Sequence, residues 1–295
     1  MAKPTTPTPA AQSLQEVLEL EQLDVNLFRS RVNQVNRSNT LFGGQILGQG
    51  LKAAALTVDA GRKAHSLHGY FLLAGISDIP VIYDVELTRD GGSFSTRRVV
   101  AKQRGKTIFH MELSFHREER GLEHAMAPDI DVPGPEALSS LKELIEQFSS
   151  RNPAEALAPM GQSIVEMRPV NPEDFFTAAV PAPRCRYWMK SAARLPDDGL
   201  TQISAVAYLS DYFLTSTVLM THLPVMLARN LMMASLDHAM WFHRPCRADE
   251  WLLVDAVSPF AGGARGLTRG EIYDKDRKLV ASVAQEGMVR IIEKK

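Results

Sequence analysis

Ser-Leu-Asp-His-Ala-Met-Trp-Phe-His-Arg-Pro, residues 235–245, opens the last stretch of the chain, and that stretch repeats an earlier part of the same sequence. Asn39–Phe115 can be laid over Ser210–Glu286 with one constant shift of 171 positions and no gap. The identical residues that the shift aligns include Phe71 and Phe242, Asp78 and Asp249, Asp84 and Asp255, Gly91-Gly92 and Gly262-Gly263, and Arg98 and Arg269. The apolar pattern agrees around them. We therefore predict two similar domains that arose by duplication.

The composition is that of an ordinary globular protein. A length of 295 residues fits two domains at roughly 150 residues each. Hydrophobic residues make up 45% and charged residues 23% of the chain, which is a common balance. The 33 Lys and Arg residues nearly match the 34 Asp and Glu residues, for a net charge of −1. We therefore expect no nucleic-acid partner.

The cysteines and the termini predict a cytoplasmic protein. Cys185 and Cys246 do not form a Cys-x-x-Cys motif, so neither a disulfide framework nor a structural zinc site is expected. Met1–Gln12 is rich in Pro, Thr and Ala and lacks the apolar core of a signal peptide, so we expect a frayed tail there. No apolar run reaches the roughly 18 residues of a membrane span. The chain ends in Glu-Lys-Lys, which is not the Ser-Lys-Leu peroxisomal signal.

The first predicted domain, residues 13–117, combines one long buried helix with an antiparallel sheet. Leu41–Val58 has apolar residues on nearly all sides, and a helix with that pattern is normally buried. Gly43, Gly44, Gly48 and Gly50 each disfavour helix by about 1 kcal/mol, so we expect a sheet or a ligand to approach the helix backbone closely. The other predicted elements are a short helix at Ser13–Leu23 and strands at Val25–Val32, His65–Leu73, Val81–Thr88, Phe94–Gln103 and Thr107–His116.

The second predicted domain, residues 163–292, repeats this order after a linker at residues 118–162. The linker is rich in proline and charge, and Glu136–Phe148 within it predicts a surface helix. The predicted elements of the second domain are a helix at Tyr212–Leu223 and strands at Ser163–Val170, Arg186–Ala193, Ser235–Phe242, Trp251–Val257, Gly266–Tyr273 and Lys278–Arg290. A helix wrapped by an antiparallel sheet is the hotdog arrangement. The sequence therefore predicts an α+β double hotdog.

Seven motifs in order resemble those of the acyl-CoA thioesterase II family. They are Leu-Phe-Gly-Gly-Gln-Ile-Leu-Gly-Gln (41–49), His-Ser-Leu-His-Gly-Tyr-Phe-Leu (65–72), Tyr-Asp-Val-Glu-Leu-Thr-Arg-Asp-Gly-Gly-Ser-Phe-Ser-Thr-Arg-Arg-Val (83–99), Tyr-Leu-Ser-Asp (208–211), Asp-His-Ala-Met-Trp-Phe-His-Arg-Pro (237–245), Glu-Trp-Leu-Leu (250–253) and Gln-Glu-Gly (285–287). The similarity runs from about residue 14 to residue 290. It implies hydrolysis of fatty acyl-CoA to free fatty acid and coenzyme A by a water molecule that an Asp, a hydroxyl residue and a Gln hold.

The resemblance places the catalytic residues in the second domain. The Asp of Tyr-Leu-Ser-Asp is Asp211, and the Gln of Gln-Glu-Gly is Gln285. The hydroxyl position is Ser235, where bacterial members of the family often carry Thr; Ser keeps the hydroxyl but has a less restricted rotamer. The developing oxyanion needs hydrogen-bond donors. We expect backbone N–H groups around the substrate-binding residues Gly44 and Gln45 to supply them.

The residues alone leave other roles open. Asp211 precedes an apolar segment and could cap a helix there. Gln285 could be a core glutamine with satisfied hydrogen bonds, since an unsatisfied buried amide costs about 1–3 kcal/mol. Under the shift of 171 positions, Thr40, Ala64 and Ser114 stand opposite Asp211, Ser235 and Gln285. The polar set is therefore expected only in the second domain, as one site per chain.

Two alternative functions stay open at this point. Some hotdog proteins dehydrate acyl thioesters with His and Asp, and Asp237-His238 invites that interpretation. However, adjacent strand residues point to opposite faces, so we expect a structural role for His238. The chain could also be an acyl-CoA-binding module without catalysis. Neither a metal nor another cofactor is implied. We expect acyl-CoA as the substrate and a homo-oligomer, either a dimer or a tetramer, with no membrane-spanning segment.

Overall fold

The computed structural model describes residues 12–34, 40–126, 128, 131–148, 164–176, 183–222 and 231–292. It divides into two compact units, Met1–Leu122 with Leu195–Tyr208 and Glu123–Arg194 with Leu209–Lys295. The predicted tail before Gln12 and the predicted strand start at Ser163 lie outside the described residues. The domain limits of 13–117, 118–162 and 163–292 stay a prediction, to which the structure adds that Leu195–Tyr208 pack with the first unit.

The described part of the first unit contains six antiparallel strands, with one long helix packed on them. Its elements are α1 (Leu14–Leu18), β1 (Leu20–Asp24), β2 (Leu27–Ser30), α2 (Gly43–Ala55), β3 (Arg62–Phe71), β4 (Ile82–Asp90), β5 (Phe94–Gln103) and β6 (Lys106–Arg117). The strand order is β1-β2-β4-β5-β6-β3. The predicted helix Ser13–Leu23 is shorter than expected, since it ends at Leu18 and Leu20 begins a strand. This is the hotdog arrangement that the sequence predicts.

The sheet approaches α2 at Gly50, as expected, because a β-carbon there would overlap the Met111 side chain of β6. Gly44 and Gly48 are explained instead by a second helix. A β-carbon at Gly48 would lie 2.7 Å from the Ser204 carbonyl oxygen, and one at Gly44 would overlap the Tyr208 carbonyl oxygen. Both carbonyls belong to α5 (Gly199–Leu209), which the sequence analysis did not predict. The backbones of the two helices can approach this closely only because the side chains are missing.

The second unit repeats the sheet of the first. Its elements are a 3-10 helix (Pro135–Ala137), α3 (Leu141–Gln147), β7 (Val165–Pro169), α4 (Pro172–Phe176), β8 (Arg184–Ser191), α6 (Leu214–Thr217), a 3-10 helix (Val218–Thr221), β9 (Leu231–Ser235), β10 (Asp237–Phe242), β11 (Leu252–Gly262), β12 (Arg265–Tyr273) and β13 (Leu279–Ile291). The strand order is β7-β8-β11-β12-β13-β10, and β9 also pairs with β13. The predicted double hotdog is therefore confirmed.

The gap-free alignment of the two repeats is wrong in the last strand. Thr268 pairs with Gln285, whereas its equivalent in the first repeat, Arg97, pairs with Leu113. Gln285 is thus equivalent to Leu113 and not to Ser114, so the last strand needs a shift of 172 positions instead of 171. The longer turn between β12 and β13 contains the extra residue. Because side chains alternate between the two faces of a strand, the insertion keeps Gln285 on the inner face.

One helical stretch is longer and more apolar than the sequence analysis expected. Among the described residues, the segment Gly199–Thr221 has the length and composition of a membrane-crossing helix, although its helical backbone is interrupted between Leu209 and Leu214. However, 78% of the most apolar part of this segment is buried inside the protein. A core helix has this property.

Candidate active site

A break in the helical backbone places Asp211. α5 ends at Leu209 and α6 begins at Leu214, so Asp211 lies between two helices. Phe213 caps α6 in the left-handed conformation, with a φ of 59°, which costs on the order of 1–3 kcal/mol for a residue with a β-carbon. Asp211 is therefore not the N-cap of the following helix, and that interpretation is wrong.

Aromatic packing stabilises this bend. The Phe213 ring lies 5.1 Å from the Phe175 ring and 5.6 Å from the Tyr187 ring, measured between centroids. The Tyr187 hydroxyl donates a hydrogen bond to the Tyr212 carbonyl. Burial raises the pKa of the Tyr187 phenol well above its usual range, so the group stays a donor. These contacts fix the segment from which the Asp211 side chain extends.

Gln285 connects the polar side chains of the site. It lies on β13 on the face of Ala281 and Val283, as predicted, and only 1% of its surface is exposed. The side-chain nitrogen donates to the Ser235 hydroxyl at 2.6 Å and to the Thr215 hydroxyl at 2.9 Å. The Gln285 amide therefore has partners for both of its protons, as a buried amide requires.

His238 forms a hydrogen bond with the side-chain oxygen of Gln285. The Nδ1 atom of His238 lies 2.8 Å from Oε1 of Gln285, and Nε2 lies 2.9 Å from the hydroxyl oxygen of Ser210. Burial lowers the pKa of His238 from 6.5 to about 4, so the ring is neutral at pH 7. An amide oxygen can only accept. With Oε1 facing the ring, His238 carries its proton on Nδ1, and Ser210 donates to Nε2.

The Asp211 carboxylate lies beside this ring. Its side chain is only 5% exposed, and Oδ1 is 4.0 Å from Nδ1 of His238. That distance is too long for a hydrogen bond, and a neutral ring does not form an ion pair. His238 is therefore a neutral neighbour of the Asp211 carboxylate.

The structure brings the predicted catalytic residues into one unit. Ser235 and Gln285 are in direct contact, and His238 contacts Gln285 and borders Asp211. The predicted substrate-binding residues Gly44 and Gln45 belong to α2 of the first unit.

Gln45 already has several hydrogen bonds within the first unit. Its backbone N–H donates to the Phe42 carbonyl at 3.1 Å. Its side chain donates to Asn33 at 2.7 Å and accepts from the Gln34 backbone at 2.8 Å. The role of the Gly44-Gln45 backbone in binding the oxyanion stays a prediction.

Sequence reasoning missed Ser210 and Thr215, and it considered His238 without anticipating its contact with Gln285. The predicted divergence of Asp237 and His238 is confirmed, because Asp237 accepts from the Glu286 backbone N–H at 2.6 Å while His238 contacts Gln285. Three positions apart, Ser235 and His238 would face opposite sides of a regular strand. The interruption between β9 and β10 brings both to Gln285. Only the Tyr-Leu-Ser-Asp motif at residues 208–211, of which Ser210 is the serine, could have indicated this residue.

No metal site accompanies these side chains in the part of the chain that the structure describes. In residues 12–34, 40–126, 128, 131–148, 164–176, 183–222 and 231–292, no group of three or more His, Cys, Asp or Glu side chains is arranged to hold a metal ion. The site consists of a carboxylate, an amide, an imidazole and three hydroxyl groups. This set can orient and deprotonate a water molecule.

The fold defines a double-hotdog protein, the described residues of its second unit form a polar, partly buried cluster, and comparisons with known proteins identify its family. The model of the acyl-CoA thioesterase N-terminal domain matches residues 33–116, and that of the C-terminal domain matches residues 135–289. The chain belongs to the acyl-CoA thioesterase family and is a thioester hydrolase.

Full-length relatives agree with this assignment. Acyl-coenzyme A thioesterase 8 of Homo sapiens is 39% identical, over 93% of this chain and 88% of its own length. The crystal structure of acyl-CoA thioesterase II TesB2 from Mycobacterium marinum has a TM-score of 0.78 and 41% identity, covering 95% of this chain and 98% of that one. A protein with a hot dog fold from Alicyclobacillus acidocaldarius is 18% identical, with a TM-score of 0.76 over 96% of this chain and 100% of its own, which supports the fold alone.

Proposed function

We propose that the protein hydrolyses fatty acyl-CoA to free fatty acid and coenzyme A, with a water molecule that Asp211 activates and that Ser235 and Gln285 hold. The observation that carries the proposal is the contact network of the second unit, in which the Gln285 amide binds the Ser235 hydroxyl. The same amide is connected through His238 to the neighbourhood of Asp211. The equivalent positions of the first unit hold Thr40, Ala64 and Leu113, which cannot form such a network.

The proposed reaction needs no covalent enzyme intermediate. Asp211 takes a proton from the water as the water oxygen attacks the thioester carbonyl carbon. The tetrahedral intermediate then collapses, the carbon–sulfur bond breaks, and coenzyme A leaves as a thiolate that takes up the proton held by Asp211. Ser235 and Gln285 orient the water rather than attack the substrate.

Asp237 provides a matched control for Asp211. Both are aspartates of the second unit, but Asp237 binds the Glu286 backbone N–H. We expect Asp211→Asn to lower the rate of thiol release from fatty acyl-CoA by roughly 10²–10⁴-fold, as for loss of a general base. Asp237→Asn keeps an acceptor oxygen and should leave the rate within a few-fold.

The same variants test the dehydratase alternative. A dehydratase built on Asp237 and His238 would depend on Asp237 and would release no thiol. Asp237 and His238 have different partners on β13, which disfavours that chemistry. Loss of activity in Asp237→Asn together with an unaffected Asp211→Asn would overturn the proposed function. An unreactive acyl-CoA complex with the wild-type protein would instead support the binding-module alternative.

A further inference from the structure

Thr215 has the same relation to Gln285 as the predicted catalytic hydroxyl of Ser235. It is the second residue of α6, and its hydroxyl oxygen lies 2.9 Å from the side-chain nitrogen of Gln285. The Ser235 hydroxyl oxygen lies 2.6 Å from the same nitrogen. A side-chain amide has two protons. One proton is therefore directed at each hydroxyl.

The two hydroxyl groups are left with equivalent hydrogen-bonding capacity. Each oxygen accepts one proton from Gln285 and retains its own proton to donate. The Thr215 and Ser235 oxygens are 3.4 Å apart, well beyond the 2.7–2.8 Å that hydroxyl pairs prefer, so they interact only weakly with each other. Both side chains are half-buried. The amide thus holds two hydroxyl donors next to one another.

Packing fixes the Thr215 side chain in this position. Its methyl group lies against Gly287, two residues along β13 from Gln285, where a β-carbon would overlap it. A β-branched side chain has few χ1 rotamers in a helix. Ser235 has no methyl group to restrict it and depends more on its hydrogen bonds. The Thr215 hydroxyl is therefore the better-ordered of the two.

We propose that Thr215 is a second water-binding hydroxyl of the active site, which shares with Ser235 the role that sequence reasoning assigns to Ser235 alone. This inference rests on the proposed hydrolytic function. Ser235 and Thr215 act in parallel, since either can donate to the water when the other is missing. Asp211 and Gln285 act in series, because the loss of either disorders the water for every other group.

Parallel action has a distinct kinetic signature. Removing one preorganised donor from an active site typically lowers kcat by about 10²–10³-fold. If the hydroxyls share that role, Ser235→Ala and Thr215→Val should each lower kcat by less than about ten-fold. The double variant should lower it by roughly 10²–10³-fold, which is more than the product of the single effects. KM for acyl-CoA should change little, since both groups bind water rather than the acyl chain.

The experiment measures thiol release from one fatty acyl-CoA by the wild type, both single variants and the double variant, with thermal melting as the test of folding. Thr215→Ser and Thr215→Ala form a second pair that differs only in the hydroxyl, for use if the valine cannot be accommodated. In the Ser235→Ala background, Thr215→Ser should retain the activity that Thr215→Ala loses.

Two results would overturn the inference. They are an unchanged kcat on removal of the Thr215 hydroxyl in both backgrounds, and a double variant whose loss equals the product of the single losses. The proposed function fails separately, if the wild type releases no thiol or if Asp211→Asn is fully active.

Discussion

Acidification from pH 7 to pH 4 should destabilise the second unit through His238, and His238→Asn should remove that part of the loss. The ring is fully buried between Gln285 and Ser210. Burial lowers its pKa to about 4, whereas the exposed ring of the unfolded chain titrates near 6.5. Between these two values the unfolded state binds a proton that the folded state does not. The free energy of unfolding therefore falls as the pH falls through this window.

The two pKa values set the magnitude. At roughly 1.4 kcal/mol per pH unit, the difference between 6.5 and about 4 corresponds to about 3 kcal/mol. The effect is zero above pH 6.5, develops between pH 6.5 and 4, and is complete below pH 4. It is a substantial part of the roughly 5–15 kcal/mol that stabilises a typical protein.

Tryptophan fluorescence makes the second unit observable by itself. All three tryptophans of the chain, Trp188, Trp241 and Trp251, belong to it. Urea denaturation followed by this signal at several pH values gives the free energy of unfolding of both proteins. Asparagine does not titrate and can donate near the position of Nδ1, although its smaller side chain lowers the stability at every pH. The slope with pH is therefore the quantity to compare.

Other groups titrate in the same window in both proteins, so only the difference between them reports on His238. We expect the wild type to lose about 3 kcal/mol more than His238→Asn between pH 7 and pH 4. Parallel losses in the two proteins would refute the reasoning. So would an imidazole resonance of His238 that titrates near pH 6.5, because it would show that water reaches the ring.

Three further predictions follow from the site. Gln285→Ala should slow thioester hydrolysis, yet add almost nothing in the Asp211→Asn background, because groups that hold one water are non-additive; a double-mutant cycle in which the losses multiply would place Gln285 outside the water site. Mass spectrometry of protein quenched during turnover should show the unmodified chain, and Ser235→Thr should stay active, since Ser235 is not a nucleophile; an acyl adduct on Ser235 would indicate covalent catalysis. Substitution of Thr40 or Ser114 by Ala should leave turnover within a few-fold, whereas a loss as large as that of Asp211→Asn would place part of the chemistry in the first unit.

The periodic parts of the fold could be predicted from the sequence. Alternation of apolar residues on β13 correctly placed Gln285 on the inner face with Ala281 and Val283, and the glycine pairs marked the equivalent turns of the two repeats. Such patterns are visible because they depend on regular geometry. The double hotdog follows from them together with the buried α2.

The departures from regular geometry could not be predicted. The left-handed Phe213 is stabilised by contacts with Phe175 and Tyr187, which lie 38 and 26 positions away in the chain. The interruption after Ser235 turns His238 toward Gln285, and the register of β13 depends on one residue in a turn. Each of these features results from tertiary packing, and together they hide from inspection of the sequence that Thr215 and His238 contact Gln285.

The packing of Leu195–Tyr208 with the first unit has a consequence for dissecting the protein. A fragment that begins after the first repeat contains Asp211, Ser235 and Gln285, but it carries α5 without the glycine-lined surface of α2 against which that helix fits. The complementary fragment exposes that surface around Gly44 and Gly48. Neither piece is therefore an autonomous half, despite the repeated fold. We expect each fragment to fold only after the other is added, because α5 belongs to the second half of the chain but packs against α2 of the first.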